Sequence, residues 1–273
     1  MLFIFEFTES LLLADIGVNL TSDRFKKDLD MVVNDALISG VKKMIVTGTD
    51  VSESIKAQAL TLKYENILYS TAGIHPHNAK EFNDDSVAVL SALLDNKSVV
   101  AVGECGLDYN RNFSAPEVQR YCFEEQLKLA AEKQYPVFLH QRDAHDDFIN
   151  ILSKYIKDIP AAVAHCFTGN QSELRTYLES GLYIGITGWI CDERRGSELK
   201  TLVGDVPLDR LMIETDAPYL LPRDMRPRPK SNRNVPAYLP HICKAVAECY
   251  GQSYELIAEK TYQNSLSFFS ISS

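Results

Sequence analysis

At 273 residues, the chain has room for one α/β barrel, which commonly takes about 250, and 45% apolar residues supply a large core. It contains no uninterrupted run of about 18 apolar residues, which excludes a membrane-spanning helix. A net charge of −9, from 28 Lys and Arg against 37 Asp and Glu, excludes non-specific binding of nucleic acid through the surface as a whole.

The first residues, Met1-Leu2-Phe3-Ile4-Phe5-Glu6-Phe7, are apolar, but Glu6 and Glu9 interrupt them and no basic residue precedes them. That is unlike a secretory signal, so residues 1–13 read as an N-terminal extension leading into the fold. Strands are predicted at Leu11–Leu20, Lys43–Gly48, Leu68–Ile74, Val99–Leu107, Pro136–His140, Ala161–Phe167, Leu182–Gly188 and Leu211–Ala217. Helices are predicted between them, at Asp23–Ser39, Ser52–Lys63, Pro116–Lys133, Ala144–Ile156 and Ser172–Gly181. Thr21-Ser22-Asp23 and Ser52 read as amino-terminal caps, Pro116 suits a first turn and Gly181 a C-cap.

Buried-type strands separated by helices imply parallel pairing with right-handed crossovers, and eight such strands close into a single-domain (β/α)8 TIM barrel. An open doubly wound sheet is the competing fold, but its Gly-rich turn after the first strand is missing. The six cysteines, at 105, 122, 166, 191, 243 and 249, form no CxxC pair. They read as reduced thiols of a cytoplasmic protein.

The polar residues fall at strand ends. Asp15 and Asn19 flank the end of the first strand, and His75-Pro76-His77 follows the third. Glu104, His140, His165 and Asp216 close the fourth, fifth, sixth and eighth. In a barrel these carboxyl ends share one mouth, where catalytic groups gather. Successive strand residues point to opposite faces, so an inward Glu104 turns Cys105 toward the helices, and His165 does the same to Cys166. The cysteines then read as packing residues. Glu214 shares a face with Asp216, one layer deeper, and needs a cationic or hydrogen-bonding partner. Two imidazoles and two carboxylates suit a divalent cation with open positions, Mg²⁺ or Mn²⁺ by the carboxylates and Zn²⁺ by the histidines. Such a cation polarises a phosphoryl or carbonyl oxygen and acidifies bound water, which Asp216 is placed to bind or deprotonate.

Residues 223–233 carry five cations against one anion, directly after the Asp216 strand. Arg223 and Arg233 there are candidates for phosphate binding through their guanidinium forks, with a merely solvated loop as the alternative. Arg194-Arg195 extend the patch, and Trp189 and Tyr219 are candidates for stacking on bases, at about 1–3 kcal/mol per base.

These motifs resemble the TatD family of metal-dependent deoxyribonucleases, within the amidohydrolase-type barrels. The resemblance runs from Asp15-Ile16-Gly17-Val18-Asn19-Leu20-Thr21 through Ala72-Gly73-Ile74-His75-Pro76-His77, Val102-Gly103-Glu104-Cys105-Gly106-Leu107-Asp108 and Phe138-Leu139-His140. It continues in Ala164-His165-Cys166-Phe167-Thr168-Gly169, Tyr183-Ile184-Gly185 and Ile213-Glu214-Thr215-Asp216-Ala217-Pro218-Tyr219. It implies Glu104, His140 and His165 as metal ligands, with Asp216 a further ligand or the catalytic base, so that Glu104 and Asp216 carry the chemistry. His75 and Arg142 would lie near the scissile phosphate. The resemblance also implies Mg²⁺-dependent 3′–5′ exonuclease action on single-stranded DNA or RNA ends and a role in DNA repair, with no membrane and no obligate protein partner.

Two departures qualify it. Many members carry a His-x-His pair where this chain has Gly17 and Asn19, so one firm metal site and a weaker or substrate-dependent second are expected. Val235 stands where relatives often have Glu in an Asn-Glu-Pro motif. The rival readings are a hydrolase of a small amide or aminoacyl ester and a barrel without metals that serves only for binding. The basic loop speaks against the first, because a neutral substrate would not need it.

Overall fold

The computed structural model describes residues 11–194 and 196–273. The expected extension therefore lies largely outside the described residues, as does Arg195. Eight strands run in sequence: β1 (Leu13–Val18), β2 (Val41–Val46), β3 (Leu68–Ala72), β4 (Val99–Asp108), β5 (Val137–Arg142), β6 (Ala162–Ala164), β7 (Tyr183–Ile186) and β8 (Leu211–Ile213). Each pairs in parallel with the next. The sheet closes on itself after β8, where the Asp216 N–H donates to Gly17 O at 2.9 Å and the Asn19 N–H to Ala217 O at 2.7 Å. This is the expected (β/α)8 barrel.

The helices that cover it are α1 (Leu29–Ile38), α2 (Val51–Thr61), α3 (Asp84–Leu94), α4 (Pro116–Lys133), α5 (His145–Leu152), α6 (Gln171–Glu179), α7 (Ser197–Leu202), α8 (Leu239–Tyr250) and α9 (Tyr254–Phe269). Pro116 opens α4 as expected, because its missing N–H is one the first turn leaves unpaired anyway. Two caps differ from expectation. Asp50, not Ser52, caps α2 by accepting the Glu53 N–H at 2.8 Å. Residues 23–28 form turns, and α1 starts only after Asp28, whose carboxylate makes no cap bond. That carboxylate instead accepts from Arg233 at 2.6 and 2.8 Å, and a charge-assisted fork outweighs a single cap bond.

The apolar interior divides into two layers. Strand residues that face outward pack with the helices, Cys105 among them. Ile16, Ile45, Val100, Phe138, Val163 and Met212 form a separate cluster joined by Phe268 and Phe269 from the end of α9. Phe268 meets Tyr183, the first residue of β7, with ring centroids 5.2 Å apart. Aromatic rings thus fill the amino-terminal end of the barrel, leaving the carboxyl end for polar groups.

Candidate active site

Glu104 stands at the centre of that polar end. Its Oε1 lies 2.8 Å from His165 Nε2, 2.9 Å from His140 Nδ1 and 3.2 Å from His75 Nε2. Four strands therefore deliver one carboxylate and three imidazoles to a single point. The chain reaches it through Gly103 at φ +137°, where any Cβ would run into the Phe138 carbonyl. Only glycine tolerates both that backbone and that approach of β4 to β5.

Asp108 ends β4 four residues beyond Glu104, hence on the same face. Its Oδ2 lies 2.8 Å from His77 Nε2, while its Oδ1 accepts the N–H groups of Asn110 at 3.0 Å and Arg111 at 2.8 Å. His140 Nε2 is 3.4 Å from the same Oδ2, yet it is buried and makes no hydrogen bond.

A deeper layer supports these groups. Glu214 is fully buried; its Oε1 accepts the Cys166 N–H at 2.6 Å and its Oε2 lies 3.3 Å from His165 Nδ1. That supplies the partner expected for it. Asp216 follows β8 at φ +53° and accepts the Asn19 side-chain amide at 3.0 Å. Asp15, also buried, accepts the Thr215 N–H at 2.9 Å and the Thr215 hydroxyl at 2.5 Å.

Burial opposes ionisation of Glu104, but the His165 and His75 charges and the imidazole hydrogen bonds prevail and hold its carboxyl well below the usual range. Burial also opposes protonation of His165, where Glu104 and then Glu214 win and raise it well above its ordinary value. His140 is raised against burial by Asp108 and Glu104. His75 goes the other way, pushed down to about 4 because burial dominates its attraction to Glu104. Burial pushes Asp216 up to about 7 despite the nearby His165 charge.

The cavity above these groups holds about 950 Å³, and its wall includes Asn19, Arg111, Phe113, Arg142, Trp189 and Tyr219. Of the residues singled out from sequence, His75, Glu104, His140, Arg142, His165 and Asp216 all line it. His75 also joins the donor cluster itself. Cys166 also lines the cavity instead of packing outward, because its φ of +46° breaks the strand alternation just after β6. Arg223 lines a neighbouring cavity. Arg233 lines neither. Its guanidinium is held by Asp28 and lies over the Phe25 ring, 5.2 Å from the centroid. Sequence reasoning missed Asp108 as a site residue, although its even spacing from Glu104 was a usable signal. It also missed the pairing of Asp108 with His77, which depends on how the turn after β3 folds back.

The donor set fits a divalent cation. His75, Glu104 and His140 each offer a ligand atom, all within 4.8 Å of one another. Imidazole with carboxylate is a common transition-metal set, and a buried imidazole nitrogen without a hydrogen bond is costly unless something binds it.

Known proteins resemble this chain over nearly its whole length. The family model described as TatD related DNase matches residues 14–270. A protein from Erwinia amylovora named 3′-5′ ssDNA/RNA exonuclease TatD is 54% identical over 257 residues, covering 94% of this chain and 99% of the relative. Its counterpart of the same name from Pectobacterium atrosepticum is 52% identical over 255 residues, covering 93% and 98%. Among solved structures, a TatD homologue from Escherichia coli K12 superposes with a TM-score of 0.87 at 28% identity, covering 96% of this chain and all of that one. A TatD family hydrolase from Entamoeba histolytica gives 0.85 at 27% identity, covering 94% and 98%. The chain belongs to the TatD family of DNases.

Proposed function

We propose that this protein is a metal-dependent 3′–5′ exonuclease that removes nucleotides from single-stranded DNA and RNA. The observation that carries the reading is the convergence of His75, His140 and His165 on Glu104 in a cavity that also holds Arg111 and Arg142. Substrate and direction come from the curated relatives, which bear that activity in their names and are more than half identical to this chain.

Glu104 and His140, which form one donor group with His75, would hold the cation together with His165, whose Nε2 lies beside Glu104, and Asp216 would be a further ligand or the base. Mg²⁺ is the favoured ion, and Mn²⁺ or Zn²⁺ also suits these donors. When bound, such an ion supplies Lewis acidity and lowers the pKa of coordinated water. The chain's own groups do the rest. Arg142 and Arg111 neutralise and orient the phosphodiester, as guanidinium forks match its oxygens. Asp216 accepts the proton of the attacking water, and a carboxyl poised near neutrality suits a general base. Glu214 fixes the tautomer and tilt of His165 from behind.

The six unpaired cysteines suit a reducing compartment, the cytoplasm. None of the described helices is long and apolar enough to cross a membrane. Removal of nucleotides from 3′ ends suits a role in DNA repair.

The test is degradation of 3′-labelled and 5′-labelled single strands by metal-stripped protein to which Mg²⁺, Mn²⁺ or Zn²⁺ is restored. Immediate release of the 3′ label and stepwise shortening of the 5′-labelled strand is the expected outcome. No cleavage with any metal would favour the hydrolase of a small amide or ester.

A further inference from the structure

We infer that a second cavity beside the catalytic one, lined by Arg194, Arg223 and Arg228, is a subsite for the phosphodiesters that precede the terminal nucleotide of a single strand. It rests on the nuclease reading and deepens it. The cavity holds about 410 Å³, and Trp189 and Leu220 line both it and the cavity over Glu104. The two spaces thus adjoin across a ridge made by those residues. The ridge is built tightly: at Gly188 a Cβ would collide with the Leu220 carbonyl, so the turn after β7 rests directly on the segment after β8.

Three guanidiniums face this cavity with one carboxylate, Asp192. Arg194 Nε lies 3.4 Å from Asp192 Oδ1, and Arg223 Nε lies 3.9 Å from Asp192 Oδ2. One carboxylate cannot neutralise three cations, so positive charge remains in a chain of net charge −9.

Position separates these arginines from the other cations of the 223–233 loop. Arg226 donates to the carbonyls of Arg223 and Met225, and Arg233 is spent on Asp28. The loop is tied down at two points, by Asp224 to His241 of α8 at 2.7 Å and by Arg233 to Asp28 at 2.6 Å. Arg228 is therefore presented between two anchors and Arg223 directly beside the first, and part of the entropy cost of ordering their backbone is already met. Planar guanidinium forks beside a catalytic cavity match phosphate oxygens. The terminal nucleotide occupies the cavity over Glu104, and the strand behind it crosses the Trp189–Leu220 ridge into the arginine cavity.

The subsite makes the enzyme sensitive to substrate length. The Mg²⁺-loaded protein is compared with R223A/R228A and with R226A, whose lost charge does not line the cavity. Two readouts are taken: kcat/KM for a hexanucleotide against a dinucleotide, and the salt dependence of binding to an oligonucleotide with non-hydrolysable phosphorothioate 3′ linkages. The double variant is expected to lose about tenfold of the hexanucleotide preference and to flatten the salt slope by about one to two, with R226A close to wild type. Equal slopes and an undiminished length preference in the double variant would overturn the subsite. So would an R226A effect as large as that of the double variant, since bulk charge would then explain it. Failure of the nuclease reading looks different: wild type would shorten neither oligonucleotide, and the binding data would still decide the subsite.

Discussion

Glu214 occupies the space that the absent side chain of Gly17 leaves open: a Cβ on Gly17 would collide with Glu214 Oε2. The carboxylate so accommodated holds the Cys166 N–H and faces the outer nitrogen of His165. Position 17 keeps glycine and gives the room to a group that braces His165.

Gly17→Ala tests that exchange. Glu214 is fully buried and bonded to the Cys166 N–H, and Phe138 closes the other side, so the added methyl overpacks the barrel. A loss of about 1–3 kcal/mol in unfolding free energy is expected from urea titration. An alanine variant as stable as wild type would show that the barrel relaxes there and that the contact matters little.

Glu214→Gln keeps the shape and an acceptor for Cys166 but removes the charge behind His165. Outer groups of this kind commonly matter by about 10–100-fold in metal affinity, and a loss of that size is expected by calorimetric titration of the stripped protein. Unaltered affinity would leave Glu214 a purely structural residue.

The acidic limb of the pH profile belongs to Asp216 on this reading. Burial lifts its carboxyl to about 7, and a bound cation pulls it lower. The ionised form is the base, so kcat/KM rises with pH through a limb at or below about 7. Asp216→Asn is expected to lower kcat/KM by about 100-fold or more and to abolish the limb. A limb that persists in the Asn variant would assign it elsewhere.

Stability carries a separate pH signature. Burial pushes Asp15 up to about 8, against the hydrogen bonds from Thr215. The folded protein then keeps a proton that the unfolded chain releases above its ordinary value of 3.8, so stability falls as pH rises from there to about 8. Asn at this position retains an acceptor for the Thr215 N–H and carries no titrating proton. Urea midpoints of wild type are expected to decline relative to Asp15→Asn between about pH 5 and about pH 8, and parallel curves would contradict the assignment.

Arg233→Ala separates a structural arginine from those proposed to bind phosphate. Removing the fork to Asp28 is expected to cost about 1–3 kcal/mol of stability, while oligonucleotide kcat/KM falls far less than in Arg223→Ala. The reverse ordering would return Arg233 to the substrate path.

Much was already legible in the order of residue types. Apolar runs ending in Glu104, His140, His165 and Asp216 state both the parallel barrel and the mouth where its chemistry lies, because the two-residue period of a strand and the common direction of all eight leave those groups one place to meet. The motifs also carry the family, and with it the nuclease class. Folding alone decided which charges were spent. Arg233 and Arg223 look alike in a basic run, yet one is consumed by a carboxylate 205 residues away and the other faces an open cavity. His77 and Cys166 reached the site through a turn after β3 and a positive φ after β6, which strand alternation does not foretell. Periodicity is a local property, and the partner that claims a charge or fills a glycine's space is settled by contacts between residues far apart in the chain.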